Sequence, residues 1–251
     1  MNRIDELFRE VWQRPGDLEL RLVLGDALLE AGDPRGELIQ LQRNPHADQG
    51  QRVMRLLQQH GLTWLGSLRD AVLPMSYELG FLASCVAIDA DAGGRIEWAT
   101  VHTVELGVTP VDFLFDPVMR ALRCVAGVQD EHLEQLLRAR RCPPEIEAMF
   151  PWDRLPELHA RLDPVPELHA LRLRGLSLSR DAAGRLSSLD VFHAEALEPL
   201  LENLPRDCLT NLVVRDVPPA RRKRVERSAR AAQHRLASVR IIAMEKPIRR
   251  R

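Results

Sequence analysis

Between Leu18 and Arg43 the apolar spacing and the chain breaks point to one local structure. Leu20, Val23, Leu24, Ala27, Leu28 and Ala31 recur every three or four residues, which predicts one buried helical stripe with Arg21, Asp26 and Glu30 to the side or outside. Gly32 then accepts the left-handed conformation that closes a helix, Asp33 caps the next one, and Pro34 fits its first position, where a missing N–H costs nothing. Leu38, Ile39 and Leu41 continue as the next buried face, and Ile4, Leu7, Phe8, Val11 and Trp12 write an earlier helix that Pro15 and Gly16 break. The first 43 residues are therefore expected to form three short helices around a shared core.

Residues 21–42 follow the pattern R-L-V-x-x-D-x-L-x-E-x-G-D-P-R-G-E-x-I-x-L-Q. This pattern resembles the short helical repeat-companion domain that certain large-genome bacteria place beside leucine-rich-repeat-like segments. The resemblance covers about a sixth of the chain closely and continues loosely through Trp64–Asp70 and Gly80–Leu82. It departs in one place, where Ala27 stands at a position the family usually fills with an aromatic residue. The family has no assigned activity, so the resemblance implies an architecture and no chemistry.

Asp26, Glu30, Asp33, Arg35 and Glu37 are dense enough to suggest a carboxylate site. No His or Cys interleaves them and their spacing is not that of a calcium loop, so a structural motif is expected at Asp26, Gly32, Asp33, Pro34, Arg35, Gly36 and Glu37. In that reading Asp33 caps, Arg35 pairs with a nearby carboxylate and the others are solvated.

From residue 79 the period changes to short phrases of apolar-x-x-apolar-x-apolar, with which a leucine-rich repeat lays down its strand. Such phrases begin at Val101, Met119, Leu168, Leu209 and Leu236, and Gly80–Ile88 supplies an earlier strand. Amphipathic helical stretches lie between them at Glu131–Arg141, Phe192–Leu204 and Pro218–Leu236. Strands alternating with helices imply parallel pairing. The expected fold is α/β: an N-terminal helical cap over 1–76, then an irregular leucine-rich-repeat-like solenoid with a parallel sheet over 77–251. Spacings of about 18 to about 50 residues, against roughly 20–29 in a regular repeat, and the missing asparagine ladder leave an ordinary compact α/β sheet as the competing architecture. The doubled phrase at Pro156–Ala160 and Pro166–Ala170 is too closely spaced for two solenoid turns.

Catalytic signatures are absent from the sequence. It has no nucleophile elbow, phosphate loop, dinucleotide fingerprint or H-E-x-x-H helix, and Cys85, Cys124, Cys142 and Cys208 form no C-x-x-C pair. No metal, no cofactor and no enzymatic activity are expected, although a pocket of converging titratable groups on a compact fold would revive an enzyme. Short, charge-broken apolar runs and an N-terminus carrying Asp5, Glu6, Arg9 and Glu10 favour a cytoplasmic protein without membrane contact.

Two binding surfaces are expected. The first is the exposed face of the sheet, taken up by a protein partner through His102, Thr103, Glu105, Arg120, Arg123, Arg172, Arg174, Val213 and Arg215, with the register open by one residue. The alternative is nucleic acid, bound through its phosphates. Residues 215–251 hold 13 Lys or Arg against 3 Asp or Glu, while the whole chain has a net charge of −1, and Arg221, Arg222, Lys223 and Arg224 lead a predicted helix. A polar cap for the end of the fold would use the same residues.

Overall fold

The computed structural model describes residues 2–46, 49–89, 94–107, 109–138, 143–148, 170–173, 176–181, 186–191, 210–231 and 236–243. It is an α/β protein of two compact units, Met1–Ala126 and Gly127–Arg251. The strand Val72–Glu78 spans the boundary expected at 76/77, and the first unit continues through two further strands and into a third.

The first unit opens with four helices: α1 (Arg3–Gln13), α2 (Leu18–Glu30), α3 (Pro34–Arg43) and α4 (Gly50–Trp64). Side chains cap the first three, since Asn2, Asp17 and Asp33 accept from the amides of Ile4, Leu20 and Arg35. Gly32 takes φ +74° between α2 and α3, the left-handed closure its sequence position predicts. Val11, Leu20, Leu24, Leu28, Ile39 and Phe81 form the core that joins the first three helices to the sheet. The stripe of α2 is rotated from its expected position: Arg21 is buried, whereas Val23 is 44% exposed.

Strands β1 (Val72–Glu78) and β2 (Phe81–Ala87) form an antiparallel hairpin, β3 (Thr103–Leu106) adds to β2 in parallel and β4 (Cys124–Val128) to β3 in parallel. The hairpin turns through Leu79 at φ +46° and Gly80 at φ +78°. A leucine in this conformation is strained, and it packs against the core cluster beside Leu22. Between the parallel strands run 3₁₀ turns, Ile96–Thr100 and Asp112–Phe115, which bury Trp98 against Phe113 at 5.2 Å. The buried hydroxyls of Thr100 and Thr109 donate to the carbonyls of Leu82 and Ala87, so these crossovers leave neither hydroxyl unsatisfied.

In the second unit α5 (Asp130–Arg138) precedes β5 (Glu145–Ala148), followed by β6 (Ala170–Leu173), β7 (Leu176–Arg180), β8 (Leu186–Val191), β9 (Thr210–Val217), α6 (Arg222–Ala231) and β10 (Leu236–Ala243). Each strand pairs with its neighbour in sequence; β5–β6, β8–β9 and β9–β10 are parallel, while β6–β7 and β7–β8 are antiparallel. The expected all-parallel sheet is therefore mixed. Only two residues separate β6 from β7 and five separate β7 from β8, too few for the crossover that a parallel strand requires. The phrase at Met119 also precedes its strand, because Met119 is buried in a turn and β4 begins at Cys124. The helix expected at Phe192–Leu204 and the doubled phrase up to His169 lie outside the described residues.

Cys85 on β2 is fully buried, and desolvation pushes its thiol up to about 12 from an ordinary 9.0. A native pKa above the unfolded value means that this stability is complete below pH 9 and is lost as pH rises toward 12. Tyr77, also raised to about 12, adds to this loss, and Arg35, lowered to about 10, offsets the tyrosine's share by a similar amount near pH 10. The unfolding free energy of the first unit should thus be about 1.4 kcal/mol lower at pH 10 than at neutrality. Chemical denaturation at the two pH values checks this, and Cys85→Ala should remove most of the difference; an undiminished difference in the variant would assign it elsewhere.

Candidate functional site

The carboxylate-rich motif at 26–37 is built into the scaffold. Asp33 caps α3, and Gly36 sits where α3 crosses α2 so closely that a Cβ would lie 2.8 Å from Gly25 O and against the amide of Leu29. Among the described residues Arg35 makes no ion pair with a carboxylate, where the sequence suggested one. Its guanidinium stands over Phe8, Trp64 and Phe81 at 5.2, 5.5 and 5.2 Å from the ring centroids, and Nη2 donates to Trp64 O at 2.8 Å. Burial lowers its pKa to about 10, leaving it a cation at neutral pH held by aromatic faces. Arg21 repeats the arrangement over Phe81 at 5.3 Å and donates to Glu78 O, its pKa lowered by the same desolvation.

The remaining residues of the motif have structural partners or face solvent. Glu37 takes a two-pronged ion pair from Arg52 on α4, at 2.6 and 2.7 Å, and hydrogen bonding from Arg52 lowers its pKa. Asp26 accepts from Gln40, and Glu30 is exposed. Gln42 ties α3 to the hairpin by donating to Tyr77 O at 2.7 Å and accepting from Gly80 N at 2.9 Å. An open groove of about 620 Å³ lies alongside, walled by Leu18, Leu22, Leu41, Val53, Tyr77 and Leu79. The Tyr77 hydroxyl donates to Gly61 O and is pushed up to about 12 by burial, so near neutral pH it is neither a nucleophile nor a base.

The strands of the two units present different chemistry. Cross-strand register places Ser76, Ser84, Thr103 and Cys124 in one row across β1–β4, and Leu73, Val86, Glu105 and Ala126 in the next. The second unit carries two longer rows. One runs Glu145, Ala170, Ser179, Ser188, Asn211, Ser238, and the other Glu147, Arg172, Ser177, Asp190, Val213, Arg240. Glu147, Asn211, Ser238 and Arg240 are exposed, and Ser238 donates to Asn211 Oδ1 at 2.7 Å. The intervening rows are apolar, with Ile146, Ala148, Val191, Leu212 and Val214 buried. This alternation gives the sheet one polar face.

Of the expected contact residues, Glu105 is exposed on β3 and Thr103 half-buried in the adjacent row. His102 precedes β3, with Nε2 3.4 Å from Glu78 Oε2 and Nδ1 3.0 Å from Thr103 Oγ1. Carboxylate, imidazole and hydroxyl follow one another as in a catalytic triad. Here, however, the Glu78 and His102 side chains are 56% and 37% exposed, where water competes for each bond. Arg120 and Arg123 precede β4 and do not lie on its face as expected; Arg120 is held by donation to Gln13 O at 3.3 Å, and Arg123 is exposed. Val213 lies in the long polar row, whereas Arg174 and the side chains of Arg172 and Arg215 lie outside those described. Sequence reasoning missed Glu78, Ser177, Ser188, Asp190, Asn211 and Arg240, whose signal is register and not local pattern.

Arg221, Arg222, Lys223 and Arg224 are exposed around the start of α6. Among the described residues no three His, Cys, Asp or Glu side chains are grouped to hold a metal ion, and no helix is long and apolar enough to cross a membrane. No protein-family model, curated protein or solved structure matches the chain.

Proposed function

We propose that the protein is a non-enzymatic interaction module that binds a protein partner on the polar faces of its sheets. The observation carrying this reading is the pair of rows from Glu145 to Ser238 and from Glu147 to Arg240, which continue across six strands. Strands about 4.8 Å apart make such rows a rigid platform of carboxylate, hydroxyl, amide and guanidinium groups that requires little ordering on binding. The Ser76–Cys124 row and the exposed Glu105 offer a similar surface in the first unit. The charged groups of residues 26–37, by contrast, go largely into internal contacts.

We further infer that pairing in chain order makes the chain an irregular leucine-rich-repeat-like solenoid, capped by helices of the repeat-companion kind and working in the cytoplasm. The likeness of the 21–42 motif to that family supports this architecture. The test is capture of a partner from a lysate of the source cells by the full chain. Replacement of Thr103 and Glu105 by Arg and Lys, or of Asn211 and Arg240 by Arg and Glu, should lower retention more than tenfold for at least one pair, and Gln58→Glu on α4 should not. Retention unchanged by both pairs would sink the reading.

A further inference from the structure

Helix α6 carries a cationic stripe that is separate from the polar rows. Val225 and Ala229 are buried, and at 3.6 residues per turn the opposite side of the helix bears Lys223, Arg227 and Arg230, all exposed. These three span about 10 Å of axis. The helix contains one carboxylate, Glu226, which accepts from Arg222 Nε at 3.0 Å, and no acidic residue stands in the first turn. The stripe therefore keeps its charge within a segment, 215–251, whose surplus is +10.

We propose that this stripe docks on the phosphate backbone of duplex nucleic acid without reading its sequence. Charge complementarity selects a polyanion, and the rest of the helix selects which kind. Insertion into an anionic bilayer needs a free apolar face, and the apolar side of α6 is already buried. Single strands are held by stacking on aromatic side chains, and 215–251 has no Phe, Trp or Tyr. A duplex carries one charge per ~1.7 Å of axis, so a stripe of this length faces several phosphates at once, and flexible Lys and Arg stems need no fixed register with them.

The test is fluorescence anisotropy of a labelled mixed-sequence 20-base-pair DNA duplex with the full chain, from 50 to 200 mM NaCl. Three neutralised phosphates predict a log–log slope of about −2.7, a loss of roughly fortyfold over that range. Lys223→Gln with Arg227→Gln and Arg230→Gln should flatten the slope to near zero, whereas Lys223→Arg with Arg227→Lys and Arg230→Lys should preserve it. Each single Gln substitution should reduce the slope by about 0.9, which keeps the test valid if the triple variant folds poorly. Absence of binding at 50 mM, an unchanged slope in the Gln variants, or tighter binding to a single strand, to phosphatidylserine vesicles or to polyglutamate would overturn the proposal.

Discussion

Gly36→Ala should destabilise the first unit by about 3 kcal/mol, at the upper end of typical overpacking costs, and lower its melting temperature on the order of 10 °C. The added Cβ meets backbone, with Gly25 O at 2.8 Å and the Leu29 amide also in its way. Backbone inside a helix cannot move without separating α2 from α3, so the strain is not relieved by a rotamer change. Gly25→Ala provides the internal comparison. Its Cβ would meet Ile39 Cγ2 at 2.7 Å and Cβ at 3.1 Å, side-chain atoms and not backbone, and alanine offsets part of that cost by raising helix propensity by about 1 kcal/mol. Thermal unfolding should therefore rank Gly36→Ala well below Gly25→Ala; equal effects would mean that the α2–α3 crossing is not as close as described.

Arg35→Ala should cost more, about 4 kcal/mol. The substitution removes a charged hydrogen bond to Trp64 O, worth roughly 1.5–3 kcal/mol, and cation–π contacts worth about 0.5–1 kcal/mol or more each, and it leaves a void among Phe8, Trp64 and Phe81. Arg35→Met keeps the stem and relieves the burial of a charge, so its cost should be about 2 kcal/mol or less. Arg35→Lys falls between them, because an ammonium cannot stack flat on several rings while reaching the carbonyl. Urea denaturation of the three variants gives the order directly. Equal losses in Arg35→Met and Arg35→Ala, with Arg35→Lys close to the unsubstituted protein, would show that charge, not packing and stacking, is what the site needs.

The same arginine marks where sequence reading reaches its limit. Asp33, Pro34 and Gly32 were legible because a cap and a left-handed closure are decided within a few residues. The partners of Arg35 were not, since Phe8, Trp64 and Phe81 come from α1, α4 and β2, and a guanidinium serves a carboxylate or an aromatic face equally well. Arg21 misled for a related reason, because a charged residue at a stripe position reads as solvent-facing unless its stacking ring is known.

Strands divide in a similar way. The phrases from Leu209 and Leu236 coincide with β9 and β10, where long apolar runs state the pattern. The four residues of β5 are too few to show a period, and β8 carries Ser187, Ser188 and Asp190 among its six residues. The single phrase from Leu168 to Leu176 resolves into β6 and the start of β7, since the break at Arg174 and Gly175 carries no weight in an apolar count. The polar rows of the candidate site were invisible for a further reason: each is assembled from one residue per strand, and only pairing brings those residues together.

The claim that the polar sheet face is the working surface is tested most directly by site-specific photo-crosslinking in the source cells. A benzophenone side chain placed at Thr103, Glu105, Asn211 or Ser238 should give a discrete adduct with one protein, whereas the same group at Gln51 or Gln58 on α4 should give none. Adducts formed only from the α4 positions, or from none of the sheet positions, would contradict the account.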